Sequence, residues 1–242
     1  MKVSLPSRSS NDFAEIRAFG KMVNHLKTVA LLLAVAFTGT AQAGILYDNG
    51  DADHVAINAI PISDGTSWGE DDFSFDYNVT ITDVHFTVYT DKQGFSDLSL
   101  YGVAFGIYPE LPSGAPNYAS PLVSDYMAGS ELTVTSTGFS AGPGFDEFNV
   151  EFDLHVPVAA LSGTDYWLTL QTYSTGGGVF WAATNGLAGN AFYHPAGDAG
   201  TFTPALQEAS FKISGVPVPA TALLLLLGIA GLSASKRFKK QG

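Results

Sequence analysis

Four oxygen-bearing side chains crowd into the six residues Asp48-Asn49-Gly50-Asp51-Ala52-Asp53, with one glycine to permit a tight turn. Closely spaced hard oxygens are what calcium takes, six to eight of them, with backbone carbonyls filling out the shell. Asp48, Asp51 and Asp53 are therefore candidate ligands of a structural Ca2+ ion. Glu70-Asp71-Asp72 joins them only if the fold brings it near. The plainer reading of the hexapeptide is an acidic turn that holds no ion.

The segment is not an EF-hand loop. Gly50 comes too early, and Ala59 stands where the bidentate glutamate belongs. A second chemistry is sugar stacking on aromatic rings. Val179-Phe180-Trp181 follows three glycines, and Phe192-Tyr193 lies in another glycine-flanked stretch. Trp181 and Tyr193 are the candidate ligand-binding residues, against the alternative that they fill the core.

Little else suggests turnover. There is no cysteine, no G-x-S-x-G, no H-E-x-x-H and no P-loop. His85 and His155 fall on the polar faces of expected strands, and His54 and His194 near expected loops. With so many acids, no carboxylate pair stands out for glycoside hydrolysis. The body reads as non-enzymatic, with a carbohydrate-binding module or a carbohydrate-active enzyme as the alternative.

Strands must position these residues. Over 147–156, Phe148, Val150, Phe152, Leu154 and Val156 alternate with polar partners, which predicts a strand with one wet face, ended by Pro157. Residues 72–90 also alternate, but the phase slips by one near Thr82-Asp83, which predicts a β-bulge. Further strands are expected over 98–108, 131–139, 166–173, 179–183 and 208–214, and shorter ones over 55–60 and 122–126. Turn clusters such as Pro112-Ser113-Gly114 and Ser162-Gly163-Thr164 separate them. The expected fold is all-β, an antiparallel β-sandwich of jelly-roll type, with a short hydrophobic helix at the C-terminus.

Between residues 44 and 215, two lysines stand against 21 carboxylates, a net charge of −19. Such a surface repels nucleic acid and anionic lipid. Without disulfides, the core, with any bound ion, must hold the domain together.

Both ends read as addresses. Residues 29–37 are an apolar run behind Lys21 and Lys27, followed by Ala41-Gln42-Ala43. This predicts a secretory signal over 1–43 cleaved after Ala43, against the alternative of a buried N-terminal helix. Met22 is an alternative initiator, since 1–21 are polar and include Asp12 and Glu15. At the other end, Ala220 to Ala234 carries no charge, and Lys236, Arg237, Lys239 and Lys240 follow. A helix of that length is about 22 Å long, short of the roughly 30 Å hydrocarbon core. The basic end would stop transfer and stay in the cytoplasm.

Proline motif, apolar helix and basic end come in that order over 216–242. The motif is Val216-Pro217-Val218-Pro219-Ala220, with Val218 where a glutamate is usual. This resembles the PEP-CTERM sorting segment of Gram-negative exported proteins. The resemblance implies transient insertion in the inner membrane and processing by an exosortase-type enzyme. It also implies delivery to the cell surface or beyond, in a setting of exopolysaccharide and biofilm.

Overall fold

Strands that alternate apolar and polar residues must each bury one face, and two sheets packed face to face do this. The computed structural model describes residues 43–63, 67–91, 99–141, 144–175, 177–184, 191–195, 203–205 and 207–218. Residues 1–42 of the expected signal, the residues Pro219 and Ala220, and the tail with its expected helix and basic residues lie outside the described residues. Among the described residues, no helix is long and apolar enough to cross a membrane.

In chain order the strands are β1 (Gly44–Asp48), β2 (Ile60–Pro61), β3 (Ser67–Ser74), β4 (Val79–Asp91), β5 (Leu100–Pro109), β6 (Val123–Ala128) and β7 (Thr133–Ser140). Then come β8 (Phe145–Ala160), β9 (Asp165–Ser174), β10 (Val179–Trp181), β11 (Phe192–Pro195), β12 (Thr203–Pro204) and β13 (Phe211–Pro217). These strands pair antiparallel, and they nest like one long hairpin folded on itself. β1 pairs with β13, β3 with β9, β4 with β8, and β5 with β6.

Sheet I runs β7-β8-β4-β13-β1, with β10 and β2 continuing beside the far end of β4. Sheet II runs β12-β11-β3-β9-β5-β6. Without the added strands, β1-β13-β4-β8 faces β3-β9-β5-β6, which is a jelly roll. The all-β antiparallel sandwich expected from the alternation is therefore the fold.

The core lies between the sheets. Sheet I contributes Val84, Phe86, Val88, Val150, Phe152 and Phe211, and sheet II contributes Phe73, Val103, Phe105, Ile107, Leu168 and Leu170. Each such side chain contributes about 1.5–3 kcal/mol when fully buried. With no disulfide to help, this packing carries the domain.

The phase slip is real. The β4–β8 register jumps between Ile81 and Asp83, and Val84, Phe86 and Val88 stay inward past it. Two expectations are corrected. Pro157 does not end β8, which continues to Ala160. Asp153 is opposite Asp83 and Val158 is opposite Ile81, so Pro157 lies where no register partner is present and its missing N–H costs no ladder bond. Residues 55–60 are not a strand either; Ala56–Asn58 form a 3-10 turn before the two-residue β2. The cause is Asp53, whose carboxylate accepts from the Val55 N–H at 2.8 Å and the Asn58 amide at 2.7 Å.

Candidate functional site

The aspartates of the hexapeptide do not converge on one point. Asp48 and Asp51 share Lys212, with its Nζ at 3.2 and 3.1 Å. Partial burial pulls the Lys212 pKa down, but the hydrogen bonds to Asp51 and Asp48 outweigh it and hold the ammonium above its usual range. Asp53 spends its oxygens on the local turn and accepts from the Tyr89 hydroxyl at 3.2 Å. Gly50, at φ +94°, makes the turn.

The residue of that hexapeptide that reaches an acidic cluster is Asn49. Asp71, Asp72 and Glu208 each bring one carboxylate oxygen within 4.8 Å of the others. Asp71 shares the inward phase of Phe73 on β3 and is fully buried. Its Oδ2 accepts from the Asn49 amide at 2.9 Å and from the Ala209 N–H at 2.7 Å. The Asn49 Oδ1 accepts from the Tyr47 hydroxyl at 3.0 Å.

Burial pushes the Asp71 carboxyl well above its ordinary pKa, and a hydrogen bond shared with Glu208 and that residue's charge add to the effect. Burial, followed by the charges of Asp71 and Asp72, likewise pushes the Tyr47 phenol up. An all-oxygen set of three carboxylates suits a hard cation, although calcium would need further oxygens from waters or backbone. A shared proton between Asp71 and Glu208 meets the same electrostatic need. The cluster could thus hold a metal. The sequence signal for it was an acid in phase with a buried aromatic.

The aromatic candidates divide. Trp181 is a core residue, fully buried, with its Nε1 donating to the Ser210 carbonyl at 2.9 Å and its ring against Phe86 and Phe211. It cannot stack on a sugar, because β10 places it between the sheets. Tyr193 is half-buried and lines a cavity of about 380 Å³ with Ile60, Pro61 and Gln207.

The histidines sit more deliberately than their scattered positions suggest. His194 is buried, its Nε2 3.1 Å from Glu70 Oε1, which also accepts from the Tyr118 hydroxyl. His54, at φ +59°, stacks on Phe139 and lies 2.6 Å from Glu147. That contact buries Glu147, which the alternation had assigned to the wet face. His155 bridges Asp125 and Glu131, each at 2.8 Å.

His85 stands between Ser214 Oγ, at 3.1 Å, and Glu151 Oε2, at 3.4 Å. The order is serine, histidine, carboxylate, but acyl transfer also needs donors for an oxyanion. Here all three residues lie on internal strands of sheet I, whose N–H groups are spent on neighbours at both sides.

The start of the proline motif belongs to the sandwich. Val216 and Pro217 close β13 opposite Thr80 and Val79, and the Val218 N–H donates to the Asn78 carbonyl at 2.9 Å. β1 begins at Gly44, directly after the expected cleavage point, and Gly44 pairs with Gly215.

No protein-family model matches the chain. No curated protein matches it. Among solved structures, it is similar to a CocE/NonD family hydrolase from Staphylococcus aureus, with a TM-score of 0.32 and 11% identity over 74% of this chain. This chain spans 37% of that protein's length, and a likeness at this level carries no argument.

Proposed function

We propose that this is an exported protein whose C-terminal segment sorts it, through the inner membrane and an exosortase-type enzyme, to the cell surface or extracellular matrix. The sandwich is its non-enzymatic body, met there by exopolysaccharide. One observation carries the reading. The residue after the expected signal cleavage, Gly44, is paired with Gly215, two residues before the end of β13. The two address segments therefore join the sandwich side by side, at one end. A domain tethered from that end leaves the rest of both sheets free to face its surroundings. The net charge of −19 between residues 44 and 215 keeps such a body soluble and away from anionic lipid.

The finer reading of the acidic cluster is calcium, held by Asp71, Asp72 and Glu208. Asn49 would then tie the segment behind the signal to the same ion that steadies β3.

Deleting residues 218–242 tests the sorting reading and leaves β13 whole. The truncated chain should be freely released into the periplasm, while the full chain is retained by the envelope or found outside without its basic end. Identical fractionation of the two forms would refute it.

A further inference from the structure

A groove of about 420 Å³ runs across the outer face of sheet I. Its size falls in the range of small-molecule sites. Strand register sets its floor. Lys212 is opposite His85, His85 opposite Glu151, and Glu151 opposite Thr133. The next row along the strands is Thr87, Asn149 and Thr135. Neighbouring strands lie about 4.7–4.9 Å apart, so each row offers a polar side chain at that interval, across the strands.

The charges in the groove are already answered. Lys212 is held by Asp48 and Asp51, and Glu151 faces His85. Hydrogen-bonding capacity, by contrast, is left over. The Thr87 hydroxyl donates to Asn149 Oδ1 at 3.0 Å, which orients the amide and points its NH2 elsewhere. Among the described residues, that NH2 and the hydroxyls of Thr133 and Thr135 have no protein partner.

The ligand must be neutral and able to both donate and accept. A polyanion is repelled by a domain at −19. A peptide adding to a β-structure would choose a sheet edge, with its unpaired backbone, and not a sheet face. We propose that this groove binds a neutral, linear glycan lying across the strands, its hydroxyls meeting the Thr87–Asn149–Thr135 row and the His85–Glu151 pair. This deepens the surface reading, and it rests on that reading only for where the glycan is met.

The test is affinity electrophoresis of the full-length protein in native gels. The gels contain dextran, hydroxyethylcellulose or galactomannan, with alginate as the polyanion. At least one neutral polymer should retard the wild type, and Asn149→Ala with Thr135→Ala should bind it at least fivefold more weakly. Both side chains are exposed, so unchanged melting of the double variant checks the fold. Three results would overturn the proposal: no retardation by any neutral polymer, equal retardation of the double variant, or retardation by alginate alone. A wild-type dimer that the double variant breaks would overturn it too, because a second copy would then cover the face. Fractionation reads the sorting separately. A surface-retained protein that ignores every glycan sinks only the groove, and a glycan binder that stays periplasmic sinks only the sorting.

Discussion

Asp71→Asn should change how stability depends on pH. In the folded state burial raises the Asp71 pKa, with the Glu208 hydrogen bond adding to it. Unfolded, it titrates near the ordinary value of about 3.9. Between those two values the folded state binds the proton and the unfolded state does not. Stability therefore falls as pH rises through that window, at up to about 1.4 kcal/mol per pH unit from this one group. Below the window both states are protonated, and above it both are ionised, so the slope vanishes at either end.

The asparagine cannot ionise and loses this slope. Its oxygen can keep the Oδ2 position, accepting from the Ala209 N–H at 2.7 Å and the Asn49 amide at 2.9 Å, but its NH2 then takes the place of Oδ1, which accepts from the Asp72 N–H at 3.0 Å. One hydrogen bond must rearrange, at a cost of about 1 kcal/mol. The variant should be less stable than wild type near pH 4 and more stable near pH 8, and the two curves should cross. Urea unfolding between those limits, in chelator, measures both. The general repulsion among the other acids is common to the two proteins and cancels in the difference. Millimolar calcium should raise the wild-type melting point more than magnesium does, and should not do so in Asp71→Asn. It should still do so in Asp51→Asn with Asp53→Asn. Parallel pH curves would refute the reasoning, since Asp71 would then be neither proton-holding nor strained.

Trp181→Ala removes the largest fully buried side chain of the core and leaves the Ser210 carbonyl without its donor. It should destabilise by about 3–5 kcal/mol in urea, with glycan retardation unchanged for the folded fraction. His155 has its pKa raised by hydrogen bonds to Glu131 and Asp125. Its stabilising contribution is thus present below the unfolded value of about 6.5 and is lost as pH rises through the folded one. Melting points should fall more steeply across that window in wild type than in His155→Gln, and an NMR titration of the ring should show the raised value directly.

Local pattern carried much of the architecture. Strict alternation over 147–156 placed Phe148, Val150, Phe152 and Leu154 inward, because a strand has only two faces and water takes one, but Val156, expected on the same face, is exposed. The one-residue slip at Thr82-Asp83 located the bulge for the same reason. What the alternation could not say is which strand sits beside which. Pro157 was read as a stop because a proline is judged against an assumed neighbour, and here it faces none. Glu147 was read as wet, yet His54, stacked on Phe139 of β7, pairs with it.

The functional residues suffered most from this limit. Asp48, Asp51 and Asp53 are close in sequence, but a carboxylate takes the nearest donor, and theirs were Lys212, the Val55 N–H and Asn58. Asp71 and Glu208 are far apart in sequence and meet because β3 and the approach to β13 close over the same end of the core. Likewise, the rows of the groove draw on β13, β4, β8 and β7, brought side by side by nested pairing over separations that no local spacing records. Sequence alone determined the charge and the two-faced strands, and the proposed addresses rest on it too, since each depends on neighbours along the chain. The cluster, the buried Trp181 and the groove were decided by tertiary structure, because a site is made of side chains that only long-range pairing brings within hydrogen-bonding distance.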